Sequence, residues 1–149
     1  MTPAGDDRRL AVLCLLSVLP WTVTVYPEGT GLVFPWGLLS PSPAFGVVPI
    51  HDYYLTHTYA SALPPYLLAW GVSTAAYALA VASAAAGTVV AREDRRVTAA
   101  LLLVAAVAHL RFTLGTDYAG ITSVPLGPAV LVTTAWWFYA DDLRRIAAS

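Results

Sequence analysis

The chain has 149 residues, enough for one compact domain. At 58% hydrophobic and 11% charged residues it has too little polar surface to cover a soluble globule, in which about 45–50% and about 25% are usual. A net charge of −1 argues against a nucleic-acid binder, which needs a basic patch, and a single cysteine excludes an intrachain disulfide or a multi-cysteine metal centre.

The first apolar segment, LAVLCLLSVLPWTVTVY, covers residues 10–26. Arg8 and Arg9 precede it, and no small-x-small cleavage site occurs before Tyr26. It therefore reads as a retained membrane helix and not as a cleaved leader. Cys14, inside this run, reads as a buried small apolar side chain.

Residues 27–65 form a long connection that opens with PEGTGLVFPWGLLSPSP. Pro35, Pro41, Pro43 and Pro49 preclude a long helix, and the bulky apolar content is unlike a disordered linker. The segment predicts a structured apolar loop at the outer membrane interface. Its second half, HDYYLTHTYASAL (51–63), predicts a short helix along that surface.

Three further apolar runs follow, at about 66–90, 97–115 and 124–140. Each is long enough for a helix to cross about 30 Å of hydrocarbon, where backbone groups must satisfy one another. In the second helix Ala76, Ala80 and Ala84 recur every four residues, with Ser83 and Gly87 on the adjoining row. Small residues at that spacing let helices approach closely. The stripe is either internal packing or an oligomerisation face, and internal packing is the simpler reading.

Arginines orient the bundle. Arg8 and Arg9, Arg92, Arg95 and Arg96, and Arg144 and Arg145 cluster at three sites, and residues 27–65 and 116–123 carry no Arg or Lys. The positive-inside rule then predicts four crossings with both termini cytoplasmic. The expected fold is an all-α integral membrane bundle of four transmembrane helices with a structured outer loop. Trp21, Tyr26, Tyr66, Trp70, Trp136, Trp137 and Tyr139 lie near the predicted helix ends and read as interface anchors.

Ionisable groups inside these runs are few. The third helix carries His109 and Arg111; Arg111 lies within snorkelling range of the outer surface. The topology gathers Glu28, His51, Asp52, His57 and Asp117 on the same side. Together these seven residues are the candidate outer polar cluster. Its simplest role is to lock the outer loop onto the helices, with a carboxylate meeting Arg111. Three histidines with a carboxylate are also the chemistry of zinc or copper, and two facing histidines that of haem, but neither spacing is diagnostic here. At the inner face, Asp141 and Asp142 are placed to pair with Arg95 or Arg96.

The motifs LPWTV (19–23), LVFPWGLL (32–39), REDRRVTAALL (92–102), AHLRF (108–112) and AWWFYADDLR (135–144) resemble a group of small multi-spanning membrane proteins from haloarchaea. The resemblance spans nearly the whole chain and agrees with its lysine-free composition. It implies source and topology, and brings no catalytic residues. No metalloprotease, phosphate-loop or nucleophile-elbow motif is present in the sequence. The leading functional expectation is a small accessory or assembly subunit of a membrane complex, in contact with lipid, other subunits or itself. The alternative is a binding protein that holds a metal, haem, quinone, carotenoid or lipid in an outer-face pocket.

Overall fold

The structure, a computed structural model, describes residues 3–56, 63–90 and 92–148. It overturns the all-α four-helix expectation. Five helices accompany a five-stranded antiparallel sheet, and among the described residues only two helices are long and apolar enough to cross a membrane.

The first departure is at residues 10–26. Helix α1 runs Pro3–Leu16, and the chain then becomes strand β1, Thr22–Tyr26. Pro20 cannot supply the backbone N–H that a continuing helix needs. The following TVTVY is rich in β-branched residues, which fit a pleated surface. It pairs with β2 (Gly29–Phe34) on one side and β5 (Thr122–Pro125) on the other.

The second departure is the loop. Residues 27–49 continue the sheet through β2, β3 (Gly37–Ser42) and β4 (Gly46–Pro49). Two tight turns of like chemistry make this possible. Tyr26-Pro27-Glu28-Gly29 joins β1 to β2, and Phe34-Pro35-Trp36-Gly37 joins β2 to β3, with Tyr26 opposite Gly29 and Phe34 opposite Gly37. Proline second and glycine fourth suit a type I turn. The prolines that forbid a helix here thus nucleate hairpins. Pro41 is accommodated where the β2–β3 register shifts between Thr30 and Leu32, a bulge that tolerates a missing donor. The final order is β4-β3-β2-β1-β5.

Helix α2 covers Ile50–Leu55, and residues 57–62 of the predicted surface helix, His57 among them, lie outside the described residues. Helices α3 (Pro65–Val90) and α4 (Arg95–Thr116) are the two apolar rods. Tyr118-Ala119-Gly120-Ile121 then reverses the chain into β5; Ala119 and Gly120 both have positive φ (41° and 87°), the requirement of a type I′ turn. Helix α5 begins at Leu126 and runs to Ala147. It carries Asp141, Asp142, Arg144 and Arg145 in its last two turns, and α1 has only 14 residues with Asp6, Arg8 and Arg9 among them. Length and charge keep both from matching the transmembrane pattern.

The core has two parts. Between the helices, Ala76, Ala80 and Ala84 of α3 meet Ala99, Leu102, Ala105 and Ala106 of α4, with Leu13, Leu131 and Tyr139 from α1 and α5. The stripe of small residues is therefore spent inside the chain. Gly87 is buried as well, against the Glu93 side chain, and Ser83 bonds Thr98 across the same interface at 2.7 Å. Nearer the sheet, Val33, Leu67, Trp70 and Phe112 form a smaller cluster.

Candidate functional site

The site lies where the sheet arches over the helix ends. Alternate strand residues point to one face. On that face β1 presents Thr24 and Tyr26, β2 presents Gly31 and Val33, and β3 presents Leu38 and Ser40. Facing them are Tyr53 of α2, Tyr66, Leu67 and Trp70 of α3, and Phe112 and Thr116 of α4, one helical turn apart. The type I′ turn closes one side with Tyr118 and Ile121. The cavity is half-open and its volume is about 260 Å³.

Local contacts hold each wall. Trp70 donates its indole N–H to Phe34 O at 3.0 Å, which fixes the ring under β2. Its ring lies 5.6 Å from Phe112 at 31° and 5.4 Å from Tyr53 at 73°. The Tyr54 hydroxyl donates to Leu67 O and accepts from Gly71 N–H, which pins α2 to α3. Tyr66 lies directly on Gly115 of α4, where a Cβ would come within 2.4 Å of the Tyr66 Cβ. Among the described residues the lining holds no Asp, Glu, Arg, Lys, His or Cys. Burial raises the pKa of Tyr53, and the nearby Tyr66 and Tyr118 hydroxyls add to this, so Tyr53 remains a neutral phenol at physiological pH.

The predicted polar cluster does not assemble. His109 is fully buried, and Arg111 lies on the outward face of α4 beside Leu103, Val104 and Val107. Among the described residues Arg111 makes no ion pair. Glu28 is exposed in the first hairpin turn and Asp117 is exposed at the end of α4. His51 and Asp52 pair with each other at 3.3 Å on the exposed side of α2. Two positions along a helix differ by about 200°, so His109 and Arg111 cannot share a face. No group of three His, Cys, Asp or Glu among the described residues is arranged to hold a metal. Cys14 is exposed on α1 instead of buried.

His109 joins sheet to helix. Its Nε2 is 2.9 Å from Thr22 Oγ1, and Thr22 Oγ1 is 2.6 Å from Thr113 Oγ1. Thr113 donates to the His109 carbonyl at 3.1 Å. Each hydroxyl has one proton, so Thr22 donates to Thr113 and accepts from His109 Nε2–H. This tautomer leaves Nδ1 as a bare acceptor, the one buried atom of the group without a partner. Thr22→Val is therefore expected to strand the Nε2–H and lower stability by about 1–3 kcal/mol, with Thr22→Ser recovering most of it. Thermal unfolding of the purified protein measures both; equal melting of Thr22→Val and wild type would refute the assignment.

The opposite end of the helices gathers the charges. Arg9 Nη1 donates to Glu93 Oε2 at 2.9 Å, and Arg9 also contacts Asp6. The Tyr139 hydroxyl donates to Glu93 Oε1 at 2.8 Å, and Arg9 and Arg95 lie 5.9 and 5.1 Å from the centre of its ring. Tyr139 leaves helical backbone geometry (φ −129°, ψ 15°), and Arg95 donates to the adjacent Phe138 carbonyl at 2.7 Å and to Asp142 at 2.8 Å. This cluster ties α1, the α3–α4 link and α5 together.

Sequence reasoning missed the cavity because it treated residues 22–49 as helix and loop. The signal was present in the alternation of TVTVY and GTGLVF across a Pro-x-Gly turn. No curated protein matches the chain. A family model matches residues 1–149 in full, that of a domain of unknown function (DUF8050), and the chain belongs to that family.

Proposed function

We propose that this is a bilayer-embedded protein that holds a small uncharged molecule in the cavity between its sheet and its helices. The observation that carries the reading is the lining itself: aromatic and aliphatic walls, hydroxyl groups set in them, and no charged side chain among the described residues. Ligand sites are commonly concave, mostly apolar and furnished with a few polar groups. Large apolar side chains on the outside of α3 and α4, among them Val72, Leu79, Val107 and Leu114, support the bilayer setting; each is more than half exposed. The arginine clusters at one end and the sheet at the other support, by the positive-inside rule, an orientation with both termini in the cytoplasm and the cavity outside.

Gly31→Leu tests the cavity. It adds an apolar side chain from the sheet wall, where a Cβ meets Leu38, Thr24 and Tyr26 at an ordinary 3.8 Å. Protein purified in mild detergent, extracted and analysed by mass spectrometry is expected to release one uncharged organic molecule per chain. Gly31→Leu is expected to release little or none. The same yield from both proteins, or no such molecule from wild type, would sink the reading.

A second reading, an accessory subunit of a membrane complex, draws on Trp136 and Trp137, which are 56% and 73% exposed on α5. Aromatic residues are enriched at protein interfaces. Native mass measurement distinguishes the two: a second polypeptide at fixed ratio supports the subunit, and a lone chain removes it.

A further inference from the structure

We infer that the cavity ligand is a flat neutral ring bearing carbonyl oxygens, of the quinone class. This rests on the reading of the cavity as a site for an uncharged molecule. Three features of the site narrow the chemistry.

The first is shape. Trp70 and Phe112, 1% and 4% exposed and tilted 31° to each other, back the cavity, and the rings of Tyr26, Tyr53, Tyr66 and Tyr118 complete an aromatic lining. The Trp70 N–H is already committed to Phe34 O, so the indole brings no donor to the cavity. An aromatic lining suits a planar guest, which gains from offset and edge contacts. A volume of about 260 Å³ is below the usual range for drug-sized ligands and suits one ring system, not a porphyrin.

The second feature is charge. A carboxylate, phosphate or ammonium group here would give up part of its water with no ionic partner among the described residues, at a cost above that of a neutral group. The described lining likewise has no His, Cys, Asp or Glu, the side chains that bind metals strongly.

The third is the supply of donors. The side-chain hydroxyls of Tyr66 on the helical side, Tyr118 in the closing turn, and Thr24 and Ser40 on the sheet side line the cavity and have no hydrogen-bond partner among the described residues. Each offers one O–H. Two carbonyl oxygens on opposite edges of a ring need few donors, and these approach from opposite walls. A sugar would bury several hydroxyls against Val33, Leu38, Leu67 and Ile121, and each one unpaired would cost about 1–3 kcal/mol.

The test uses duroquinone as probe, titrated into the full chain in phosphatidylcholine nanodiscs, with tryptophan fluorescence as readout. Durene, the same ring without carbonyls, and glucose are the comparison compounds, read by competition. Saturable quenching by duroquinone is expected, and durene should bind at least about tenfold more weakly. Tyr66→Phe combined with Thr24→Val is expected to weaken duroquinone by about five- to tenfold and leave durene unchanged. Gly31→Leu should abolish the saturable component without touching the Trp70 hydrogen bond. Durene binding as tightly as duroquinone would overturn the carbonyl assignment and leave the apolar cavity standing. Glucose binding in preference to both would overturn the class. No saturable binding of any of the three would overturn the cavity reading together with this inference.

Discussion

Trp21→Ala is expected to lower stability by about 3–5 kcal/mol, the range for truncating a buried aromatic side chain. Trp21 is 2% exposed, and its ring packs edge-on against Tyr77 at 4.9 Å and against His109 at 5.1 Å. Its indole N–H donates to Leu16 O at 2.9 Å, satisfying a carbonyl left open where α1 stops. Its backbone does as much. Trp21 N–H donates to Val33 O, and Gly127 N–H donates to Trp21 O, both at 2.7 Å. One residue thus joins the end of α1, the middle of the sheet and the first turn of α5. Trp21→Phe keeps much of the ring packing and loses the indole bond, so its loss should be smaller by at least half. Denaturant unfolding in micelles measures the series; a loss below about 1 kcal/mol for Trp21→Ala would show that this ring is not a core residue.

Glu93→Ala is expected to have a comparable effect at the other end, about 3–5 kcal/mol, because it strands a buried partner. The Arg9 and Glu93 side chains are 5% and 7% exposed. Without Glu93, Arg9 keeps its contacts with Asp6, the Gly5 carbonyl and the Tyr139 ring but loses its one buried carboxylate, and the buried Tyr139 hydroxyl loses its acceptor. The expectation has a sharper form in the double variant. Removing both charges as Arg9→Met with Glu93→Leu eliminates the stranded ion and should recover most of the stability lost by Glu93→Ala alone. Thermal unfolding of the two single variants and the double variant, taken as a cycle, measures the coupling. Strictly additive losses would show that Arg9 and Glu93 do not act as a pair.

The two expectations differ in how they could be foreseen. Arg95 and Asp142 sit in charged clusters that the sequence places at a common end, and they meet at 2.8 Å. Arg9 and Glu93 lie in those same clusters, but nothing local picks Glu93 from Asp94 as the partner of Arg9. Asp94 caps α4 instead, accepting from the Arg96 and Val97 backbone N–H groups. Trp21 shows the opposite failure. An aromatic at the end of an apolar run reads as an interface anchor, whereas the chain turns at Pro20 and folds that ring inward. Trp136 and Trp137 carry the same signal and remain exposed. Position along a helix does not reveal which side another element will cover.

The cavity was illegible for a related reason. None of its fourteen described lining residues is charged, a histidine or a cysteine, and they come from β1, β2, β3, α2, α3, α4 and one turn. Its parts have no common spacing. Conversely, the residues that look chemical in the sequence scatter: His109 turns to Thr22, Arg111 turns outward, and His51 pairs with its neighbour Asp52.

What the sequence determined by itself is local. Apolar runs of sufficient length define α3 and α4, since a helix satisfies its own backbone and needs no distant partner. Small residues every four positions set how closely those helices pack, and proline before glycine sets two hairpin turns. Tertiary structure decided the rest. A strand exists only by virtue of its partner, and β1 is completed by β5, about a hundred residues later in the chain. That pairing converts an apparent helix and loop into the roof of a cavity, and it turns His109 from a member of a predicted outer polar cluster into the hydrogen-bonded link between roof and floor.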